Sequence, residues 1–400
     1  MGNMKNKFLI LFLFISIKII AQNDTSVIYD VINMANKSYL DSLKNINYLK
    51  PLDILISNEK RLIHIKKFKM VYPQQLNTCY SFLHLQDSIK KIIGINYKKD
   101  KNKKVLKITN RNIKKIVKNH KVVMLNEAHH NVSHRLFAET LLEPLYSEGF
   151  RLLAVEAYLK TDTVNIRKYP ISTSGFYLKE PYFANFIRKA IKIGYKIIPY
   201  ESYNNSNEIN SREKNQANNL VKQFRNATNS KLFVYAGYDH IIKNNGDSKY
   251  KWMAEYFKNI TKIDPLIINQ TKFRFDEKKN KSKIIKSESD KYDFFVIHSN
   301  KRKHLQKKLN RNKIKIKINA NSFNKNNDKY IIQAYLLNEY NKYGNKSIPF
   351  NQQVLLTEET NVNLFLELKK DYFICIKNKN NLIINSIIIN NLQNKSIRLN

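Results

Sequence analysis

The chain has 400 residues, of which 42% are hydrophobic and 12% are aromatic, so it can bury the cores of two or three domains and is not a disordered protein. Its formal net charge is +39, but lysine and arginine are spread along the whole sequence. Nucleic-acid-binding proteins concentrate basic residues on one face or one tail, so we expect no specific nucleic-acid partner.

Residues 1–21 have the pattern of a secretory signal peptide. Lys5 and Lys7 precede an apolar run that is shorter than the roughly 20 residues of a membrane-spanning helix, and Ala21 is a small residue suited to cleavage. The later sequence contains no apolar run long enough to cross a bilayer. We therefore expect an exported protein, periplasmic or extracellular, with no transmembrane segment after the signal peptide is removed.

Residues 22–117 are predicted to form a helical N-terminal region. Apolar residues recur there at helical spacing, for example in "VIYDVINMANKSYLDSLKNI". The two cysteines of the chain, Cys79 and Cys375, are far apart in sequence and have no zinc-ligand spacing. We expect them to be buried free thiols rather than a disulfide framework.

Residues 118–305 are predicted to form an α/β domain with a parallel sheet flanked by helices. Short apolar runs rich in β-branched residues alternate there with segments of helical period, which is typical of parallel sheets. The predicted strands are residues 121–125, 151–157, 195–201, 231–237, 264–270 and 293–299.

A basic, polar link follows residue 300, and residues 315–400 are predicted to form a small β-sandwich without a helix. Short alternating strands are separated there by asparagine-rich turns, and "IKNKNNLII" has the pattern of a hairpin.

Polar side chains follow the strands of the predicted parallel sheet, at the edge where open α/β sheets bind ligands. Glu127 and three histidines follow the first strand, in "LNEAHHNVSHR", and Glu156 ends the second strand. Glu201 ends the third strand, and Asp239 and His240 follow the fourth. We expect these side chains to converge on one cleft.

The residue types at this edge suit hydrolysis. We predict a catalytic centre made of Glu127, His129, His130, Glu156 and His240. An imidazole can take a proton from water, a carboxylate can orient the ring or act as the base, and a second imidazole can donate to the leaving group. His129 and His130 compete for the same role. A divalent metal held by His129, His130, Glu156 and His240 is the alternative use of these ligands.

Three further polar residues are candidates for substrate binding. Arg135 either pairs with a neighbouring carboxylate or holds an anionic group of the substrate. Glu201 either caps the next helix or takes part in the cleft. Asp239 lies beside the catalytic candidate His240.

The segments "NEAHH…HR", "GFRLLAVEA", "SREKNQANNL" and "FVYAGYDHI", in this order, resemble the erythromycin esterase-like superfamily, which includes the haem-binding ChaN-like proteins and the Tiki proteases. The resemblance covers residues 118–275 and implies an α/β core with a polar cleft at the strand ends. The esterase-like pattern matches Glu127 and His130. The ChaN-like pattern instead matches His129 and a later histidine near His134, so the choice of base stays open.

The other motifs of the resemblance place the second-strand glutamate at Glu156 and the fourth-strand histidine at His240. The basic start of a helix matches Arg212, which the resemblance implies as a substrate-binding residue. This sequence departs from the esterase-like pattern at Asn126, where the pattern has glycine, and at Gly237, where it has a histidine. Macrolide esterase activity is therefore not implied.

Three functions are consistent with these patterns. The first is an exported hydrolase that acts on an ester or amide bond of a small molecule or peptide, without an obligate organic cofactor. The second is a ChaN-like protein that binds haem or another iron compound. The third is a catalytically inactive domain that serves adhesion through the β-sandwich.

Overall fold

The computed structural model describes residues 26–85, 88–89, 95, 105–202, 208–227, 230–273, 282–299, 313–319, 329–355, 361–393 and 396–398. The predicted signal peptide and the basic link that follows residue 300 lie outside the described residues. Among the helices that are described, none is both long enough and apolar enough to cross a membrane.

Helices form the N-terminal region, and they pack on the C-terminal strands as well as on each other. The helices are α1 (residues 26–37), α2 (Lys50–Leu62) and α3 (Phe68–Phe82). Their apolar core also contains Ile331, Ile348 and Val354 from the C-terminal region. Cys79 is buried in this core as a free thiol, and Cys375 is also free and buried, which confirms the prediction for both cysteines.

A mostly parallel sheet of eight strands forms the centre of the fold, which confirms the predicted α/β class. The strands are β1 (Val105–Lys107), β2 (Val122–Glu127), β3 (Phe150–Val155), β4 (Lys196–Pro199), β5 (Lys231–Gly237), β6 (Leu266–Asn269), β7 (Lys283–Lys286) and β8 (Phe294–Ile297). Their order is β1-β7-β8-β6-β2-β5-β3-β4. Each predicted parallel strand is present, and the sequence did not predict β1 and β7, which pair antiparallel at one edge.

Helices cover both faces of this sheet. The helices are α4 (Asn110–Val117), α5 (Val132–Ser147), α6 (Val164–Arg167), α7 (Pro181–Ile193), α8 (Ile209–Arg225) and α9 (Met253–Thr261). Alternate residues of β2 face opposite cores: Val123 and Leu125 pack with α4, α5 and α7, whereas Val122 and Met124 pack with α8 and α9. Burial on both faces explains why the strands are continuous apolar runs.

The C-terminal strands form two small sheets around one apolar core. The elements are β9 (Lys313–Asn319), β10 (Tyr330–Leu336), α10 (Leu337–Tyr343), β11 (Asn351–Leu355), β12 (Asn361–Glu367), β13 (Tyr372–Lys377), β14 (Ile383–Ile389) and β15 (Ser396–Arg398). The sheets have the orders β11-β10-β13-β14 and β12-β9-β15, and the hairpin predicted at "IKNKNNLII" joins β13 to β14.

The prediction that this region contains no helix is wrong. The segment "KYIIQAYLLNEY" is a strand only as far as Leu336, and α10 follows directly. The helix ends at Gly344, which has a positive φ of 51°, and Tyr340 on the helix stacks on Phe373 of β13. This aromatic contact holds the helix against the sheet, and the sequence pattern does not display it.

Replacing Gly194 tests the junction between α7 and β4. Gly194 has a φ of 118°, and a β-carbon there would collide with the Tyr146 hydroxyl. We expect Gly194→Ala to lower the free energy of unfolding by about 1–3 kcal/mol, measured by urea denaturation. Gly246 is the matched control, because its φ is also positive but nothing lies within 4 Å of an added β-carbon. Gly246→Ala should cost only about 1 kcal/mol, and an equal loss in both variants would contradict the predicted collision.

Candidate active site

The carboxylate that ends β2 is held by a buried arginine. Arg135 of α5 donates to both oxygens of Glu127, from Nε to Oε2 and from Nη2 to Oε1, each over 2.9 Å. The Tyr235 hydroxyl donates to Oε2 over 2.7 Å. Burial alone would raise the pKa of Glu127, but Arg135 and His129 reverse this effect and hold the pKa well below its usual range. Glu127 is therefore a fixed negative charge.

The remaining contacts of Arg135 bind it to the protein rather than to a substrate. Nη2 donates to the backbone carbonyl of His129 over 2.7 Å, and Nη1 donates to Glu180 over 2.9 Å. The Arg135 side chain has no exposed surface. Of its two predicted roles, the structure shows the pairing with a carboxylate. The buried side chain is not placed to contact a substrate directly, so the alternative prediction of substrate binding is not supported.

His129 faces the cleft with one ring nitrogen while the other is fixed. Its Nδ1 lies 3.0 Å from Oε1 of Glu127, so Nδ1–H donates to this carboxylate. The ring stacks on Tyr177 with a centroid distance of 3.9 Å. Nε2 points towards Glu156, 3.9 Å from its Oε1. The Glu127 contact therefore sets both the tautomer and the orientation of the ring.

Glu156, which follows β3, lies at the centre of the cluster. Its Oε2 accepts a hydrogen bond from the backbone N–H of Gly237, whereas its Oε1 lies 3.7 Å from Nε2 of His240 and 3.7 Å from Nη2 of Arg212. Burial raises the pKa of Glu156, but His129, His240 and the Gly237 N–H together lower it below its ordinary value. The carboxylate is therefore ionised at neutral pH.

Gly237 gives His129 and Glu156 the space that they occupy. A β-carbon at this position would lie 2.5 Å from the His129 ring and 2.8 Å from Oε2 of Glu156. Gly237 stands where the esterase-like pattern has a histidine, and here the absence of a side chain lets the β5 backbone approach both catalytic candidates.

His240 has its own buried carboxylate partner. It lies in a short 3-10 turn after β5, and its Nδ1 is 2.8 Å from Oε2 of Glu213 on α8. The same oxygen of Glu213 accepts the backbone N–H of Met253, which fixes the carboxylate. Burial lowers the pKa of His240, but Glu156 and Glu213 outweigh burial and raise it above its ordinary value. The protonated form of the ring is therefore favoured relative to that of an ordinary histidine.

Arg212 and Glu201 form the rim of the cleft. Arg212 donates to Glu201 over 3.1 Å, and Gln216 donates to the same carboxylate over 2.7 Å. The Arg212 side chain is 42% exposed, whereas those of His129, Glu156 and His240 are 13%, 9% and 11% exposed. Arg212 is thus the cation of this cluster that solvent and a substrate can reach.

Two predicted residues do not join the cluster. His130 is buried, its Nδ1 lies 3.4 Å from the Tyr238 hydroxyl, and burial and His129 lower its pKa to about 4. Asp239 is exposed, and no hydrogen bond among the described residues links its carboxylate to the cluster. The structure therefore places His129, and not His130, beside Glu156, and both His130 and Asp239 lie outside the cluster.

Other residues of the site were not predicted from the sequence. Glu213 directly follows Arg212 in the quoted motif "SREKNQANNL", but it lies in a charged helix where a solvated glutamate is the usual expectation. Glu180 precedes the proline that begins α7, and its carboxylate accepts from the backbone N–H groups of Tyr182 and Phe183. The position before the proline signals a helix start, but it does not reveal the contact with Arg135.

The predicted metal ligands do not fit a metal centre. Within the part of the chain that is described, no three His, Cys, Asp or Glu side chains are arranged to hold a metal ion. His130, one of the four predicted ligands, contacts Tyr238 instead. For the haem alternative, the later histidine His134 is already engaged through both ring nitrogens, in hydrogen bonds with the Ala128 N–H and with Asn131.

Comparisons with known proteins give only distant matches. No family model matches the chain, and no curated protein matches it. Among solved structures, the type III effector HopBA1 is 11% identical with a TM-score of 0.36, and the match covers 50% of this chain and 97% of that one. RRSP, a MARTX toxin effector domain from Vibrio vulnificus, is 14% identical with a TM-score of 0.31, over 48% of this chain and 37% of that one. Likenesses this distant carry no conclusion about activity.

The only tryptophan of the chain offers a direct test of the His240 pair. Trp252 lies edge-on to the His240 ring, with centroids 6.3 Å apart. Since a protonated imidazole quenches indole emission, we expect Trp252 fluorescence to rise as pH increases through the pKa of His240. Glu213→Gln removes one group that raises this pKa, so the midpoint should move to lower pH by about 1 pH unit.

Glu201→Gln is the matched control for this titration, because Glu201 pairs with Arg212 and not with His240. Its midpoint should equal that of the unaltered protein. If Glu213→Gln does not change the midpoint, Glu213 does not raise the pKa of His240.

Proposed function

We propose that this chain is an exported hydrolase that cleaves an ester or amide bond with Glu156, His129 and His240. The proposal rests on one observation: two imidazoles from different strand ends direct Nε2 at the same oxygen of Glu156, from 3.9 and 3.7 Å. Each ring is fixed at Nδ1 by its own buried carboxylate, Glu127 or Glu213. The order of these residues also supports membership of the erythromycin esterase-like superfamily.

Glu156 is the proposed base. Both oxygens of Glu127 accept hydrogen bonds, from Arg135, Tyr235 and His129, so this carboxylate is not placed to take a proton from water. Oε1 of Glu156, in contrast, makes no hydrogen bond shorter than 3.5 Å among the described residues. Its nearest nitrogen neighbours are 3.7–3.9 Å away, so this oxygen can accept a hydrogen bond from a water molecule that enters the cleft. Oε1 takes a proton from this water, and the oxygen of the water attacks the carbonyl carbon of the substrate.

His240 is the proposed acid. Its raised pKa favours the protonated ring, and Nδ1 is engaged with Glu213, so Nε2–H is the proton that faces the cleft. As the tetrahedral intermediate collapses, His240 transfers this proton to the leaving oxygen or nitrogen. Glu156 then returns the proton that it took from water to His240, so the site is restored without a change in its net charge.

Arg212 is proposed to stabilise the negative charge that develops on the carbonyl oxygen. His129 carries its proton on Nδ1, so its Nε2 is proposed to accept a hydrogen bond from the attacking water and to orient this water. Both side chains lie within 4 Å of Oε1 of Glu156, the oxygen that takes the proton of the water. Arg212 is partly exposed at the mouth of the cleft and can contact a small-molecule or peptide substrate as it enters.

Single substitutions of the proposed catalytic residues, compared with a substitution of His130, test the site directly. We expect His129→Gln, His240→Gln and Glu156→Gln each to lower kcat/KM by about 100-fold or more, since acid–base groups contribute about 10²–10⁴-fold. His130→Gln should leave the rate within a few-fold of the unaltered enzyme. Activity is measured on panels of p-nitrophenyl esters and fluorogenic peptides.

Two results would contradict this assignment. If His130→Gln abolished hydrolysis while His129→Gln retained it, the roles of the two histidines would be reversed. If Glu156→Gln hydrolysed the substrate at the full rate, Glu156 would not be the base.

The pH dependence of the rate gives an independent prediction. Glu156 acts when ionised, and its pKa is lowered, so activity is lost only as pH falls through this lowered value. His240 acts when protonated, and its pKa is raised, so activity is lost as pH rises through a pKa above the ordinary value of histidine. A bell-shaped profile of kcat/KM is expected, and Glu213→Gln should move only its alkaline limb to lower pH.

A further inference from the structure

A histidine of the N-terminal region contacts the network behind the candidate active site. His84 lies two residues after the end of α3, and its side chain is 6% exposed. Its Nδ1 is 2.8 Å from the backbone carbonyl oxygen of Gln352 on β11, and its Nε2 is 3.3 Å from Oε1 of Glu180. Both partners are hydrogen-bond acceptors, so each contact needs a proton on the ring nitrogen that makes it.

Glu180 connects this histidine to the site. Its Oε2 accepts from Nη1 of Arg135 over 2.9 Å, and Arg135 in turn holds both oxygens of Glu127. Glu127 then fixes Nδ1 of His129. A continuous path of side-chain contacts therefore runs from His84 to the ring that faces Glu156.

The Glu180 carboxylate accepts hydrogen bonds from several groups at once. The carboxylate has no exposed surface, and it accepts two backbone N–H groups at the start of α7 as well as Arg135 and His84. His84 and the Tyr182 N–H bind Oε1, whereas Arg135 and the Phe183 N–H bind Oε2, so His84 acts together with the backbone groups to hold the rotation of the carboxylate that presents Oε2 to Arg135.

We propose that His84 is a positioning residue for the candidate active site, which it orients through Glu180, Arg135 and Glu127. The inference rests on the proposed function for its meaning in catalysis, although the orientation of His129 can be measured without any substrate. It also assigns a role to the N-terminal region: its residue His84, which follows α3, helps to set the orientation of side chains in the α/β site.

Two amide substitutions separate the contacts of the His84 ring. In His84→Gln the side-chain NH2 lies near the position of Nε2 and can donate to Glu180. In His84→Asn it lies near the position of Nδ1 and can donate only to the Gln352 carbonyl. Both variants remove the ring and its tilted contact with the Tyr182 ring, so their losses of stability should be similar.

The measurement is the side-chain nitrogen NMR spectrum of histidine in the 15N-labelled full chain, with His129 assigned from its loss in His129→Gln. We expect His84→Gln to retain the His129 resonances of a ring with protonated Nδ1. We expect His84→Asn to shift them towards values averaged over both tautomers. The His240 resonances should stay unchanged in both variants, because Glu213 holds that ring.

Equal His129 shifts in the two variants, or no shift in either, would overturn the positioning role of His84. If wild-type protein hydrolysed no substrate while His129 responded as expected, the proposed function would fail and the positioning role would stand. Where hydrolysis is found, His84→Asn should lower kcat with little change in KM, and His84→Gln should restore most of the rate.

Discussion

The buried pair of Arg135 and Glu127 is the interaction on which the site depends. Both side chains are buried, and removing two charges from water costs several kcal/mol each unless hydrogen bonds replace the lost hydration. Here both carboxylate oxygens and three guanidinium nitrogens are engaged, by Tyr235, His129 and Glu180 as well as by each other. The turn between β2 and α5 is thereby fixed, because Glu127 ends the strand and Arg135 lies in the first turn of the helix.

The arrangement of charges explains how three carboxylates can lie so close together. Glu127, Glu156 and Glu213 are separated by His129 and His240, so each carboxylate has an imidazole or arginine neighbour rather than another carboxylate. Glu127 and Glu213 make short hydrogen bonds that hold neighbouring side chains in position. Glu156 differs, because its Oε1 has only neighbours at 3.7–3.9 Å, and an ionised oxygen without close donors is the more reactive one.

The sequence predicted the sheet and the cleft edge because both follow from local patterns. Buried parallel strands are continuous apolar runs, and the rule that ligands bind at strand ends brings Glu156 and His240 to the same edge. The choice between His129 and His130 depends on the backbone path of a turn, which adjacent residues of the same type do not reveal. Glu180 lies 45 residues beyond Arg135, and a pairing over that separation leaves no periodic signal.

Glu180 ties the position of α7 to that of the catalytic candidates. One carboxylate caps this helix, holds Arg135 and accepts from His84, so a shift of α7 moves the anion that Arg135 needs. Removing one member of a buried ion pair costs about 3–5 kcal/mol, a large part of the 5–15 kcal/mol that stabilises a typical domain. The N-terminal helices, α7 and the site are therefore constrained together, and change at one of these charged positions requires a compensating change at its partner.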